Sequence, residues 1–554
     1  MYCNTPQVNQ LTSLLKAHHI EHVVVCPGSR NATIVHNLHA AGSECFKLHP
    51  VTDERSAAFV ALGMVLATQE AVAVCVTSGS ALLGCIPAAA EAYYRHLPLL
   101  VISADRPQYI IGQLDGQTLP QNGALSPYCP TFNITEPHNN NEAWCNNRKI
   151  NEALLALHLY EGQPVHINVE IEEPMFNFST PQLPQERVVQ RFVQNINAAT
   201  PLPDCVLQTI AQAKLPTLVM GQYERGDIRK EVEDLRANNQ MLVLSEIISD
   251  VSDNHLMEAF DEETLTPDVQ PDVIVHIGGN FVHKKFKKRL RNGNCMVIRV
   301  GNDAQLPDTF YHTTYWLQQS VQPVLAQLAQ ALKHNHTEVK KARASLENTW
   351  KQMQQTLQDA DDKTEGISMY KALNALYQYL LQHPDLSVSL HLANSSAVRV
   401  AGKVFQAGTF PIYCNRGTNG IEGSLSTAVG YALTLWGLTI VVIGDLSFFY
   451  DVNALWNTQL PNNLRIMLLN NGRGSIFDHL PGLSQSPAQS HYIAAGDQHY
   501  TAQGIAQAFK LNYHSVSVPH QLNTTIAQWL KESDRASLLE VELPHKKNAP
   551  HLTG

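Results

Sequence analysis

The sequence predicts an α/β protein built from three doubly wound parallel sheets. Short, continuous apolar runs recur along the chain and alternate with helical stretches. A run without polar alternation is typical of a strand buried on both faces, as in a parallel sheet. The 554 residues are also too many for a single core, and roughly one domain per 100–200 residues gives three or four domains.

Composition excludes several classes of protein. The chain is 44% hydrophobic and 16% charged, which indicates a folded protein. Its net charge of −10 argues against general nucleic-acid binding, and no apolar run approaches a membrane span. The ten cysteines are scattered without a C-x-x-C pair, and the first residues lack the pattern of a signal peptide. We therefore expect a cytoplasmic protein with reduced thiols.

We place the first domain at residues 1–180. Helical stretches such as 56–68 and 81–94 separate its predicted strands, and this alternation is typical of a doubly wound sheet. The predicted strands are HVVVCPG (22–28), AVAVCVT (71–77), LPLLVIS (97–103) and PVHINVEI (164–171).

A Pro- and Gln-rich linker precedes the second domain, residues 192–336, which has four further apolar runs and no convincing dinucleotide fingerprint. A charged helical connector, 337–366, leads to the third domain, 366–554. Although His334 and His336 look like a metal pair, residues at i and i+2 do not share a helix face. We predict surface positions for both.

Two apolar runs in the third domain end in polar residues. Ile440–Ile443 stops at Gly444-Asp445, a helix follows that we expect to carry Asn453–Leu455, and the next run stops before Asn471. Because parallel strands deliver their carboxyl ends to one edge of a sheet, Asp445 and Asn471 should lie side by side. Their hard oxygen donors suit Mg²⁺ or Ca²⁺ and suit zinc poorly.

The turn Gly444-Asp445-Leu446-Ser447 adds backbone N–H groups and a hydroxyl at the start of a helix, where a phosphate binds. These residues therefore indicate a metal-bridged diphosphate. The alternative is an ordinary Asp N-cap and polar turn, which an isolated Gly-Asp favours.

Gly-Asp followed by Asn-Asn after one helix and one strand resembles the thiamine diphosphate motif, with Leu446 in place of its usual second glycine. The longer motifs closely resemble the 2-succinyl-5-enolpyruvyl-6-hydroxy-3-cyclohexene-1-carboxylate synthases of menaquinone biosynthesis. The resemblance implies a pyrimidine-binding domain (1–180) and a diphosphate-binding domain (366–554) flanking a central α/β domain. It covers both ends of the chain in order, through CPGSR (26–30), DERSAAF (53–59), SADRP (103–107), NRGTNGIEG (415–423), GDLS (444–447), YDVNAL (450–455) and NNGRGSIF (470–477).

The resemblance implies that Asp445 and Asn471 hold Mg²⁺ or Mn²⁺ with a backbone oxygen of Arg473. Family members commonly have Gly-Gly where Arg473-Gly474 stand, so this position departs from the pattern. Ile421 matches a bulky residue that props the cofactor in a bent shape, against the alternative of ordinary core packing. The implied cofactor contacts are Glu54, Ser395, Ile421, Gly444, Asp445, Leu446, Ser447, Asn471, Ile476 and Phe477.

Glu54 is the implied catalytic residue. In the family, the Glu of the DER motif contacts the aminopyrimidine ring of a cofactor that the other subunit binds, so a homodimer or homotetramer with sites at the subunit interface is implied. The alternative is a first-turn acid that favours a helix N-terminus.

Several cations match family positions that hold substrate. Guanidinium forks suit carboxylates, although exposed Arg and Lys are ordinarily just solvated, and the run HKKFKKRLR (283–291) also reads as a solvated helix face. Lys285 stands where the family has an Arg. The implied substrate residues are Arg30, Arg106, Gln117, Lys284, Lys285, Arg399, Arg416 and Leu480.

The resemblance implies an enzyme that decarboxylates 2-oxoglutarate and adds the succinyl-semialdehyde carbanion to isochorismate. One alternative is another thiamine diphosphate enzyme acting on 2-oxo acids, such as an acetolactate synthase or decarboxylase. That alternative calls for an apolar acceptor pocket or a flavin, and the arginine set argues against it. The other is a catalytically silent nucleotide-binding regulator, which retention of Glu54, Asp445 and Asn471 together disfavours.

Overall fold

The computed structural model describes residues 1–192, 200–224, 226–262, 266, 268–332, 336–480, 482–496 and 500–544. These residues form three parallel sheets of six, five and six strands, with helices between the strands. The predicted α/β class is therefore confirmed. Among the described residues, no helix is both long and apolar enough to cross a membrane.

The first sheet has the strand order β2-β1-β3-β4-β6-β5. Its two central strands, β3 and β4, are buried along their whole length, as their unbroken apolar sequence predicts. The elements are α1 (Pro6–Ala17), β1 (His22–Val25), α2 (Ala32–Ala40), β2 (Lys47–Pro50), α3 (Glu54–Thr68), β3 (Val72–Val76), α4 (Ser80–Gly84), α5 (Ile86–Arg95), β4 (Leu99–Asp105), β5 (Thr131–Ile134), α6 (Asn140–Ala156) and β6 (Val165–Glu170).

The second sheet has the order β11-β10-β9-β7-β8. A long helix, α12, then connects it to the third sheet as predicted. His336 immediately precedes α12, whereas His334 lies outside the described residues. The elements are α7 (Asp204–Gln212), β7 (Pro216–Met220), α8 (Arg229–Ala237), β8 (Leu242–Ser245), α9 (Asn254–Asp261), β9 (Val273–Ile277), α10 (Lys285–Asn292), β10 (Met296–Val300), β11 (Thr313–Leu317), α11 (Val321–Ala331) and α12 (Thr337–Asp362).

The third sheet has the order β13-β12-β14-β15-β17-β16, so the strands of the two predicted apolar runs, β14 and β15, are neighbours at its centre. The elements are α13 (Met369–Gln382), β12 (Val388–Leu392), α14 (Ser396–Val404), β13 (Ile412–Tyr413), α15 (Ser424–Ala432), β14 (Leu438–Gly444), α16 (Asp445–Tyr450), β15 (Leu464–Asn470), α17 (Gln503–Ala508), β16 (Asn512–Val516), α18 (Leu522–Trp529) and β17 (Ser537–Glu542).

The helix that we expected to carry Asn453 ends earlier. α16 stops at Tyr450, and Val452–Leu455 forms a 3₁₀ turn instead. Asp451 separates the two because its carboxylate accepts hydrogen bonds from the backbone N–H and the hydroxyl of Ser426, each at 2.8 Å. A long-range contact therefore overrides the local helical preference.

Helices α3 and α15 pack against each other and join the first and third sheets into one hydrophobic core. Glycines permit this close approach. A Cβ on Gly430 would lie 1.9 Å from the carbonyl oxygen of Val60, and one on Gly63 would lie 1.9 Å from the carbonyl oxygen of Thr427.

We expect Gly430→Ala to lower the free energy of unfolding by about 3 kcal/mol, the upper end of the cost of overpacking. The obstacle is backbone, which cannot rotate away. Gly504→Ala is the matched control, because a Cβ there meets nothing within 4 Å and alanine has the higher helix propensity. Urea unfolding measures both, and equal midpoints for the two variants would contradict this account of the helix pair.

Buried neutral histidines make the fold sensitive to acid. His391 on β12 is 3% exposed, and its Nε2 has no hydrogen-bond partner among the described residues. Burial, with a smaller effect of the nearby Arg95, lowers the pKa of His391 to about 3. Because the unfolded chain takes up the proton first, stability is lost as the pH falls from the ordinary histidine value of 6.5 towards 3.

Replacing His391 with Phe removes this contribution to the loss of stability in acid. Between pH 7.5 and pH 5 we expect the wild type to lose about 2 kcal/mol more than His391→Phe. Urea unfolding at both pH values measures the difference, with the exposed His520→Gln as control. Parallel pH curves for wild type and His391→Phe would refute this role of the buried ring.

Candidate active site

Asp445 and Asn471 come together at the carboxyl edge of the third sheet. β14 and β15 pair side by side up to Gly444 and Leu469. Asp445 then begins α16, and Asn471 follows the last residue of β15. The backbone N–H of Arg473 donates to Oδ2 of Asp445 at 3.1 Å and lies 3.2 Å from Oδ1 of Asn471, so both oxygens converge on one atom.

The pair suits a hard cation. Asp445 is 6% exposed and Asn471 is 8% exposed. Burial raises the pKa of Asp445, although backbone N–H groups, first that of Leu446, lower it. A cation at the converging oxygens would favour the ionised form. In the described part of the chain, no group of three or more His, Cys, Asp or Glu side chains could hold a metal instead.

Arg473 presents its N–H to these oxygens. Its carbonyl, the predicted metal contact, accepts from the N–H of Ser475 at 3.0 Å, and its guanidinium pairs with Asp478 at 2.7 Å. Asp445 is not an N-cap, because Gly444 holds that position. The alternative in which Asp445 serves as an ordinary N-cap is therefore wrong.

Ser447 and Ile421 tie α16 to the loop before α15. The Ser447 hydroxyl donates to the Ile421 carbonyl at 2.5 Å. The Ile421 side chain is 38% exposed in the single chain, which is more than ordinary core packing leaves. A Cβ on the nearby Gly444 would meet nothing within 4 Å, which leaves the backbone of this turn open.

The start of α14 and the loop after β13 bring three predicted residues close. Ser395 precedes α14 at a positive φ of 75°, an unusual conformation for a residue with a side chain. Arg416 donates to Oδ1 of Asn394 at 3.0 Å and to the Phe281 carbonyl at 2.8 Å. Burial, and after it the positive charge of Arg416, lower the pKa of Arg399.

Glu91, which sequence reasoning missed, anchors that loop from the first sheet. This fully buried carboxylate on α5 accepts from the N–H of Gly417 at 2.9 Å and from the N–H of Thr418 at 2.7 Å. Its signal in the sequence was a lone acid within the apolar stretch IPAAAEAYY.

The predicted apolar wall follows β15. Ile476 and Phe477 belong to a 3₁₀ turn, Ser475–His479, and both are half-buried. Phe477 packs against Gly474, since a Cβ there would lie 3.0 Å from its ring. Leu480 is 47% exposed in the single chain.

Glu54 begins α3, and its neighbour Asp53 caps the helix by accepting from the N–H groups of Arg55 and Ser56. Glu54 is half-buried, and within the described ranges its carboxyl group has no hydrogen-bond partner. The Arg55 guanidinium binds the carbonyl of Tyr450, the last residue of α16. Glu54 thus lies near the far end of the helix that Asp445 begins, and as a first-turn acid of α3 it also fits the alternative of an acid that favours a helix N-terminus.

Arg30 and Arg106 lie together after β1 and β4. Both face Glu173, at 2.9 Å from Arg30 and 3.9 Å from Arg106. Gln117 is exposed, and its backbone rests on Gly79. The structure therefore brings the two arginines to one carboxylate.

Lys284 and Lys285 are exposed at the start of α10, and Lys285 pairs with Glu262 at 3.4 Å. The basic run is not wholly solvated, because Phe286, Arg289 and Leu290 are buried. His283, just before it, bridges two buried acids, at 3.0 Å from both Glu246 and Glu258. These two carboxylates raise the pKa of His283 well above its ordinary value against the opposing effect of burial.

Comparison with known proteins gives the family. Residues 8–125 match the model of the thiamine pyrophosphate enzyme N-terminal TPP binding domain. The 2-succinyl-5-enolpyruvyl-6-hydroxy-3-cyclohexene-1-carboxylate synthase of Bacteroides fragilis is 38% identical over 94% of this chain and 93% of its own. The chain belongs to this synthase family.

Other relatives with the same name agree. The synthase of Bacteroides thetaiotaomicron is 38% identical over 94% of this chain and 92% of its own, and that of Phocaeicola vulgatus is 37% identical over 99% and 97%. The chain is therefore a thiamine pyrophosphate enzyme of the synthase family, and the resemblance seen in its motifs is confirmed.

Proposed function

We propose that this enzyme decarboxylates 2-oxoglutarate and adds the remaining four-carbon acyl unit to isochorismate, which forms 2-succinyl-5-enolpyruvyl-6-hydroxy-3-cyclohexene-1-carboxylate for menaquinone biosynthesis. One observation carries the proposal. In a chain of this family, Asp445 and Asn471 converge at the carboxyl edge of the third sheet, where a metal-bound diphosphate is expected.

We assign the cofactor-holding residues to residues 366–554. Asp445 and Asn471 would hold Mg²⁺ or Mn²⁺, Ser447 and the open backbone at Gly444 would face the diphosphate, and Ile421 would support the rings. Thiamine diphosphate supplies an electron sink that accepts the electron pair released when CO₂ leaves. The exposed Ile421 and Leu480 supply apolar surface for that group.

Residues 1–180 would bind the pyrimidine ring, with 192–336 as the central domain. Glu54 would hold a proton at the ring of a cofactor bound by a second copy. Its carboxyl group is half-buried and does not cap α3, which supports this role. The active enzyme is then at least a homodimer. All ten cysteines are free, which favours the cytoplasm.

Arginines would bind the substrates. Both 2-oxoglutarate and isochorismate carry two carboxylates, and a chain with a net charge of −10 needs local cations to hold them. Arg30 and Arg106 already bind one carboxylate, that of Glu173. Arg399 and Arg416 would form a second cationic group, and the positive charge of Arg416 lowering the pKa of Arg399 supports this.

Release of CO₂ from 2-oxoglutarate, measured with and without isochorismate, tests the proposal. We expect sustained release only when both substrates are present, with one product formed for each CO₂. Turnover of pyruvate without isochorismate would instead indicate a decarboxylase or an acetolactate synthase. No release from either acid, with cofactor bound, would indicate a silent regulator.

A further inference from the structure

Arg30 and Arg106 face a carboxylate of their own chain, that of Glu173. Arg30 is 4% exposed and donates to the Ile171 carbonyl and to Oε1 of Glu173, both at 2.9 Å. The same Oε1 lies 3.9 Å from Arg106, whose Nε is buried without a partner in the described chain. The Glu173 carboxylate therefore hydrogen-bonds Arg30 and lies within ion-pair distance of Arg106, at the place where the carboxylate of a ligand could bind both guanidinium groups.

Two further acids end the neighbouring strands β4 and β6, but other groups hold them in place. Asp105 accepts from the N–H of Arg106 and from Asn168, both at 2.8 Å. Glu170 accepts from Asn133 at 2.6 Å. Glu173 differs, because its side chain is 65% exposed and the arginines are its only recorded partners among the described residues.

Glu173, the exposed acid, is therefore the one that can leave the arginines. With Asp105, Glu170 and Glu173 all present, acids outnumber arginines at this place, and a second carboxylate would meet repulsion. An incoming carboxylate can pair with both arginines once Glu173 swings into solvent, where its charge is hydrated. Such an exchange needs only Glu173 to move, because its side chain is 65% exposed whereas the buried Arg30 stays in place for the incoming carboxylate.

We propose that Glu173 is a specificity-determining counterion, which competes with the carboxylate of the second substrate for Arg30 and Arg106 and thereby sets the KM for that substrate. This rests on the proposed function, in which the two arginines hold isochorismate. The substrate binds only the fraction of molecules in which Glu173 has left the arginines, so its apparent affinity is reduced by that fraction.

Kinetics of Glu173→Gln and Glu173→Ala test the proposal. We expect the KM for isochorismate to fall by about three- to tenfold, with the larger change in the alanine variant, and the effect to lie in KM and not in kcat. Glu173→Gln can keep one hydrogen bond to Arg30, so it guards against misfolding. Glu172→Gln is the matched control, because Glu172 is the exposed neighbour with no recorded partner in the described chain.

An unchanged or raised KM in both Glu173 variants would overturn the proposal, since it would make Glu173 a support for the arginines. Equal changes in Glu172→Gln would overturn it too, because they would reflect net charge alone. Calorimetry with benzoate, a carboxylate on a six-membered ring, gives a readout independent of turnover. Tighter benzoate binding by Glu173→Ala than by the wild type would support the counterion role of Glu173, even if isochorismate proved not to be the substrate.

Discussion

We expect Glu54→Gln to lower turnover by about 10²–10⁴-fold, the usual contribution of a proton-transfer group. The amide keeps the size of the side chain but cannot hold or release the proton. Helix α3 should remain intact, because Asp53 and not Glu54 caps it. Steady-state rates with both substrates measure the loss.

The loss should appear in the activation of the cofactor and not in its binding. Exchange of the cofactor C2 proton for deuterium should slow in Glu54→Gln, while the affinity for thiamine diphosphate changes little. Glu70→Gln, at the exposed far end beyond α3, is the matched control and should behave as wild type. Wild-type turnover with undiminished exchange in Glu54→Gln would remove Glu54 from the mechanism.

Asp445→Asn should weaken cofactor binding by about 10²–10³-fold, the scale of loss when one partner of a buried charge pair is removed. The amide keeps one oxygen, but it loses the only charge that we assign to the metal. The apparent affinity for thiamine diphosphate, taken from activity at fixed Mg²⁺, measures the effect.

Two comparisons make that result specific. Asp385→Asn, at an exposed position before β12, should leave the apparent affinity unchanged. Raising the Mg²⁺ concentration should recover part of the activity of Asp445→Asn, because mass action opposes the lost affinity. An unaltered cofactor affinity in Asp445→Asn would place the diphosphate elsewhere.

Much of the fold could be predicted from local patterns. β14 and β15 are uninterrupted apolar runs, so the sequence predicts buried parallel strands, and their carboxyl ends must then meet at one edge. This rule predicts that Asp445 and Asn471 lie side by side, as they do. The 3₁₀ turn at Val452–Leu455 was missed, because Asp451 binds Ser426, a residue 25 positions away.

The parts of the site that could not be predicted depend on long-range contacts. Glu91 binds Thr418 across 327 positions, and Glu173 binds Arg30 across 143. Nothing in the spacing of such residues encodes their approach. The Glu91 contact depends on how α3 and α15 dock the first and third sheets, and the Glu173 contact depends on the strand order of the first sheet. The predicted roles of Lys284 and Lys285 stay predictions, because both side chains are exposed in the single chain.

Calorimetric titration of thiamine diphosphate into metal-stripped protein tests the central claim most directly. With Mg²⁺ supplied, the account predicts uptake of one cofactor per chain by the wild type, little uptake without Mg²⁺, and a large loss of affinity in both Asp445→Asn and Asn471→Ala. Equal binding with and without Mg²⁺, or full affinity in these two variants, would contradict it.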